Sequence, residues 1–115
     1  MTDLEMTRLC AEAMEYEILP YQGGYIFIKR LRRGEQEYKP LHDDAQAMAL
    51  DQYILAADYC ISYARDECEI YPTEGQTPET HRPVFYFKVD MTKPENRRRV
   101  RVECVAKMQK ARAAE

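Results

Sequence analysis

The sequence predicts an α+β fold in which three helices pack in layers against a small, mainly antiparallel sheet of three to four strands. Three segments carry apolar residues at helical spacing, and they alternate along the chain with short segments dense in β-branched and aromatic residues. This order demands no pair of parallel strands, which favours helices packed on an antiparallel sheet. A length of 115 residues suffices for one hydrophobic core. We therefore expect a single domain over residues 1–115.

The first two predicted helices cover residues 2–18 and 43–59. Each begins at small polar or acidic residues, whose side-chain oxygens accept hydrogen bonds from the unpaired N–H groups of a first helical turn. In the second helix the expected core face is Ala47, Leu50, Ile54 and Ala57. The candidate caps are Thr2 or Asp3 for the first helix and Asp43 or Asp44 for the second.

The third predicted helix covers residues 95–113. Pro94 suits a first helical turn because its missing N–H would be unpaired there, and Thr92 is the expected cap. The arginines of this segment are expected mostly outside the side of the helix that faces the core. The core-facing residues are expected to be Val100, Cys104, Val105 and Met108.

The predicted strands are short segments between turn signals. Residues 36–39 form a hairpin with residues 25–28 across the charged turn that contains Arg32 and Arg33. Residues 60–71 are predicted to form one long irregular strand or two short ones. Residues 84–89 are predicted to form a further strand before the third helix. Between these two segments lies a polar loop, residues 72–83, which is rich in proline and threonine.

The formal net charge of −3 hides an asymmetry along the chain. From Lys88 onward the chain has nine basic and four acidic side chains, whereas the first 87 residues hold eight basic and 16 acidic ones. A basic segment on an acidic body indicates an anionic partner, an attraction between the two halves, or contact with a second copy of the chain.

No apolar run approaches the roughly 20 residues that span a bilayer. The first residues are acidic and polar, unlike a secretory signal. The four cysteines include no C-x-x-C pair, which favours reduced thiols over two disulfides or a metal site. We therefore expect a cytoplasmic protein with no membrane partner, no metal and no cofactor.

Three segments of the chain resemble a group of small bacteriophage and prophage proteins. They are residues 9–14 (LCAEAM), 40–50 (PLHDDAQAMAL) and 103–110 (ECVAKMQK). The group is described as having a phage α-β-α sandwich domain, and the resemblance extends over about residues 4–110. It implies a layered fold, a location in a bacterial host cell and no assigned enzymatic activity. The chain departs from the group by lacking tryptophan and by carrying the arginine run 97–99.

Two arginine clusters and the nearby tyrosines are the candidate binding residues. One cluster lies at the predicted hairpin turn and the other in the first turns of the third helix, where unpaired N–H groups also attract phosphate. Arginines beside aromatic rings suit phosphate neutralisation and base stacking, whereas a negative net charge counts against a dedicated duplex binder. A solvated surface without a ligand is the alternative. The candidate residues are Arg32, Arg33, Arg97, Arg98, Arg99, Tyr25 and Tyr38.

These observations predict a non-enzymatic binding module that engages a host or phage macromolecule, as a monomer or a homodimer. Tyrosine and arginine are enriched at the energetic centres of protein interfaces, which favours a protein partner. The alternative is a nucleic acid or small nucleotide bound by the arginine clusters, including sequestration of a nucleotide defence signal. A third hypothesis is a metal enzyme built on His42, Asp43 and Asp44, for which helix capping is the simpler explanation.

Overall fold

The computed structural model describes residues 1–20, 23–30, 32–74 and 84–114. The helices and strands in these ranges confirm the α+β class, with helices packed against antiparallel sheets. The helices are α1 (Asp3–Ala13), α2 (Asp44–Ala56) and α3 (Pro94–Ala113). The strands are β1 (Glu17–Ile18), β2 (Ile26–Arg30), β3 (Gly34–Tyr38), β4 (Tyr59–Tyr63), β5 (Cys68–Pro72) and β6 (Phe85–Phe87).

The strands are divided between two antiparallel sheets, where the sequence predicts one sheet of three to four strands. The first sheet has the order β1-β2-β3 and the second has the order β4-β5-β6. Within the described ranges each strand pairs only with its neighbours along the chain, and α2 separates β3 from β4. Local hairpins can be predicted from turn signals, but whether two hairpins join edge to edge depends on tertiary packing.

Helix α3 packs against both α1 and α2. The predicted core positions Val100, Cys104 and Val105 are buried, whereas Met108 is half-buried. Val102 and Arg101 are buried as well, so the predicted stripe was too narrow and the expected exposure of Arg101 was wrong. A helix that contacts elements on several sides buries more than one stripe.

Both sheets contribute to the same hydrophobic core. Ile28 from the first sheet and Ile70 from the second are fully buried in one cluster. The core face predicted for α2 is confirmed at Ala47, Leu50 and Ile54, while Ala57 is only half-buried.

Helix α1 ends at Ala13, so the prediction of a helix to residue 18 was wrong. Glu15 has φ 58°, and its N–H donates to the Glu12 carbonyl at 3.0 Å. The N–H of Tyr16 donates to the Ala11 carbonyl at 3.0 Å, which completes a Schellman motif. This motif usually has glycine at the left-handed position. Because Glu15 occupies that position here, the end of the helix could not be predicted from the sequence. The left-handed conformation of Glu15 reverses the direction of the chain, so that Ile18 pairs with β2.

Helix α2 begins as predicted, because Asp43 Oδ1 accepts a hydrogen bond from the N–H of Gln46 at 2.9 Å. It ends at Ala56 rather than residue 59, and Asp58 with φ 66° turns the chain into β4. In α3 the position of Pro94 in the first turn is confirmed. The expected cap was wrong: Lys93 occupies the N-cap without a side-chain hydrogen bond, and Thr92 bonds to Asp90 instead.

The region 60–71 forms two short strands, which is one of the two predicted alternatives. Strand β6 covers less than the predicted 84–89. Most of the predicted polar loop, residues 75–83, lies outside the described residues. Within the described ranges, no helix combines the length and apolar character needed to cross a membrane. The cytoplasmic location stays a prediction.

Candidate binding site

The three consecutive arginines of α3 point in different directions, because successive residues of a helix are about 100° apart. Arg98 donates from Nε to the Leu41 carbonyl at 2.9 Å and from Nη1 to Asp44 Oδ1 at 2.7 Å. Arg99 donates from Nη2 to Asp3 Oδ1 at 3.0 Å and also contacts Glu103. Arg98 therefore joins α3 to the start of α2, and Arg99 joins α3 to α1.

Arg97 differs from the two arginines that follow it. Its side chain is half-buried, and its guanidinium has no hydrogen bond or ion pair to any residue in the described part of the chain. The Arg97 carbonyl accepts a hydrogen bond from Arg101 Nη1 at 3.0 Å. The guanidinium donors of Arg97 are therefore not used by any described residue.

Arg101 is a site residue that sequence reasoning missed. It is only 4% exposed, and its Nε donates to Asp51 Oδ1 of α2 at 2.8 Å. Nη2 has no partner in the described ranges and is not one of the fully buried polar atoms. In the sequence Arg101 follows the core residue Val100, and Asp51 follows the core residue Leu50, but this spacing alone does not predict their contact.

These side chains surround a depression of about 300 Å³ between the first turns of α2, the end of β4 and the first turns of α3. We call it the arginine depression. Its rim includes two exposed apolar side chains, with Met48 53% and Tyr63 48% exposed. Three guanidinium groups and one carboxylate lie around it, which suits a negatively charged ligand group with an apolar neighbour. The lining residues are Asp44, Met48, Tyr63, Arg97, Arg98 and Arg101, together with Ala47 and Pro94.

The hairpin arginines belong to a different part of the surface. Arg32 and Arg33 are exposed at the turn between β2 and β3. Arg33 lines a separate cavity of about 290 Å³ with Arg30, whose guanidinium lies 5.0 Å from the ring centre of Tyr16. The structure thus brings Arg97 and Arg98 together with Arg101, whereas neither Arg32 nor Arg33 lines the arginine depression.

The two candidate tyrosines are in contrasting environments. Tyr25 is exposed and lines a cavity beside α1 that also includes Asp3. Tyr38 is 2% exposed, and its ring packs edge-on against Tyr16 with centroids 5.5 Å apart. Burial raises the pKa of the Tyr38 hydroxyl, which has no hydrogen-bond partner among the described residues. Tyr38 is therefore a core residue, whereas Tyr63 presents its ring at the arginine depression.

The buried cysteines and the two aspartates of the metal-enzyme hypothesis take part in packing, helix capping or ion pairing. Burial raises the pKa of the Cys10 and Cys104 thiols to about 12 and that of Cys68 to about 11, so these thiols are protonated near neutral pH. All four cysteines are free, as predicted. Asp43 caps α2 and Asp44 pairs with Arg98. Within the described ranges, no group of three or more histidine, cysteine or acidic residues is arranged to hold a metal ion.

Comparison of the chain with protein-family models, with curated protein sequences and with solved structures finds no match. The resemblance to the phage α-β-α sandwich proteins therefore stays a prediction.

Proposed function

We propose that the protein is a non-enzymatic binding module that holds an acidic segment of a partner protein in the arginine depression. One observation carries the proposal: the guanidinium of Arg97, which has no partner among the described residues, lies in the same depression as the exposed side chains of Tyr63 and Met48. An acidic side chain would neutralise the guanidinium, and an apolar neighbour of that side chain would cover the rim.

The depression is already organised for an anionic group. Arg98 and Arg101 are each held by a carboxylate and a backbone carbonyl, so their guanidinium groups lose little further freedom when a ligand binds. Each of these two side chains still has an Nη2 group without a partner in the described part of the chain. Arg97 adds a complete guanidinium, which can contact a carboxylate through two parallel hydrogen bonds.

A protein partner fits the depression better than a nucleic acid. Tyrosine, methionine and arginine are enriched at protein interfaces, and all three line the depression here. The body of the protein is acidic, which opposes an extended polyanion. Arg33 of the hairpin turn lines a separate cavity and does not line the arginine depression. The resemblance to small phage proteins implies that the partner is a host or phage protein, and this identity stays a prediction.

The test is a selection of displayed random short peptides on the immobilised protein. We expect the enriched peptides to place aspartate or glutamate beside an apolar residue. The Kd of the tightest peptide should rise about tenfold or more in Arg97→Ala and in Tyr63→Ala, as is typical of interface hot spots. Arg99→Ala and Tyr86→Ala are matched controls, since both residues are exposed outside the depression, and they should leave the Kd unchanged.

Two results would contradict the proposal: no enrichment of acidic peptides, or equal binding by all four variants and the original protein. The nucleotide alternative is tested alongside with a fluorescent ATP analogue. Binding of this analogue that is sensitive to salt and lost in Arg97→Ala, without acidic peptide binding, would favour that alternative.

A further inference from the structure

Strand β4 has an edge that faces away from the rest of its sheet. β4 is the first strand in the order β4-β5-β6, so among the described strands only β5 pairs with it. The Ala64 N–H donates to the Glu67 carbonyl and the Thr73 N–H donates to the Asp58 carbonyl, both at 3.0 Å. In an antiparallel pair, hydrogen-bonded and non-hydrogen-bonded positions alternate. Counting by alternation between these two bonds, Cys60 lies in a hydrogen-bonded pair with Tyr71 of β5.

The same alternation places Ser62 in a hydrogen-bonded pair with β5 and directs the backbone groups of Tyr59, Ile61 and Tyr63 outward. Pro72, which has no N–H, lies opposite Tyr59 as this pattern requires. In the described ranges, none of these outward N–H and C=O groups has a hydrogen-bond partner. The edge ends at Tyr63, which lines the arginine depression.

The equivalent edge of the first sheet shows how this fold closes an edge. Gln46 Oε1 accepts a hydrogen bond from the N–H of Lys39 at 2.6 Å, and Gln46 Nε2 donates to the Glu37 carbonyl at 2.9 Å. The amide thus bonds to the two backbone groups that flank Tyr38, as a residue of a parallel strand would. No side chain in the described part of the molecule does this for β4.

We infer that the acidic segment binds in an extended conformation and adds a strand to the outer edge of β4. This inference rests on the proposed function and names its mode of recognition. Backbone hydrogen bonds to Ile61 and Tyr63 would hold the segment whatever its sequence. Asp44 and Asp51 pair with Arg98 and Arg101. Arg97 has no counter-charge among the described residues, and its positive charge in the depression selects an acidic side chain.

The experiment uses the tightest acidic peptide from the selection, synthesised with one N-methyl group at each position in turn. N-methylation removes one backbone donor and leaves the side chains unchanged. Alternate N–H groups of an added strand point towards β4, so the Kd should rise about tenfold at every second position. N-methylation at the positions between them should change the Kd little. An unmethylated peptide of the same composition in scrambled order is the control.

Equal Kd values for all N-methyl peptides, or losses at consecutive positions, would overturn the added strand. If the unmethylated peptide still needs Arg97 in that case, the proposed function stands and only the mode of recognition is wrong. A peptide whose binding is indifferent to Arg97→Ala would instead contradict the proposed function.

Discussion

The outer edges of β3 and β4 differ, although both lie beside helix α2. Gln46 in the first turn of α2 hydrogen-bonds to the edge of β3. At β4 the outward groups of Ile61 and Tyr63 are left without partners in the described part of the chain. An open strand edge invites pairing with another chain, and proteins usually block it. Our proposal assigns this open edge beside three arginines to the binding of a partner.

The largest expected effect tests whether the two sheets form one structural unit. Ile28 and Ile70 are fully buried on the central strands of the first and second sheets. Replacing either with alanine should lower the free energy of unfolding by about 3 kcal/mol, through lost burial and the cavity left behind. Because both residues belong to one core cluster, urea unfolding of each variant should show a single transition.

Two separate unfolding transitions in Ile70→Ala, one of them with unchanged stability, would contradict a shared core. The second sheet would then unfold independently of the first sheet.

A smaller effect is expected from the ion pairs that surround the arginine depression. Asp51→Asn should lower the free energy of unfolding by about 2 kcal/mol, because it leaves the buried guanidinium of Arg101 without its counter-charge. Asp44→Asn removes the partner of Arg98, but the Asp44 side chain is 74% exposed. Its effect should stay below about 1 kcal/mol. Thermal unfolding of both variants measures the difference in stability. Equal losses of stability would contradict a larger contribution from the buried Arg101–Asp51 pair.

The smallest expected effect concerns the closed edge of β3. Gln46→Ala removes both hydrogen bonds to that edge and should lower the free energy of unfolding by about 1 kcal/mol. Gln52→Ala is the matched control, because Gln52 is an exposed residue of the same helix. Urea unfolding should separate the two variants. A Gln46→Ala protein as stable as Gln52→Ala would show that the side-chain amide does not secure β3.

The sequence predicted features that depend on local chemistry. Asp43 as a cap and Pro94 in a first turn follow from unpaired backbone groups near each residue. The end of α1 could not be predicted because Glu15 occupies a left-handed position that glycine would have marked. The division of the strands into two sheets depends on contacts between distant segments, which no local pattern records.

The candidate site was predicted only in part, for a geometric reason. In the sequence, residues 97–99 are one basic cluster, but the helix directs Arg98 and Arg99 to different neighbours. Arg101 joins the site because α2 packs beside it, and that contact was not predictable from the helical pattern of α3 alone. The hairpin arginines remain candidates for a ligand of their own.

Hydrogen exchange of single backbone amides, followed by NMR, tests the contrast between the two edges most directly. In the protein alone, the amides of Ile61 and Tyr63 should exchange quickly, while those of Lys39, Cys60 and Ser62 should be protected by their hydrogen bonds. Adding the selected acidic peptide should slow exchange at Ile61 and Tyr63. Protection of these two amides equal to that of Cys60 and Ser62 in the protein alone would contradict an open edge on β4.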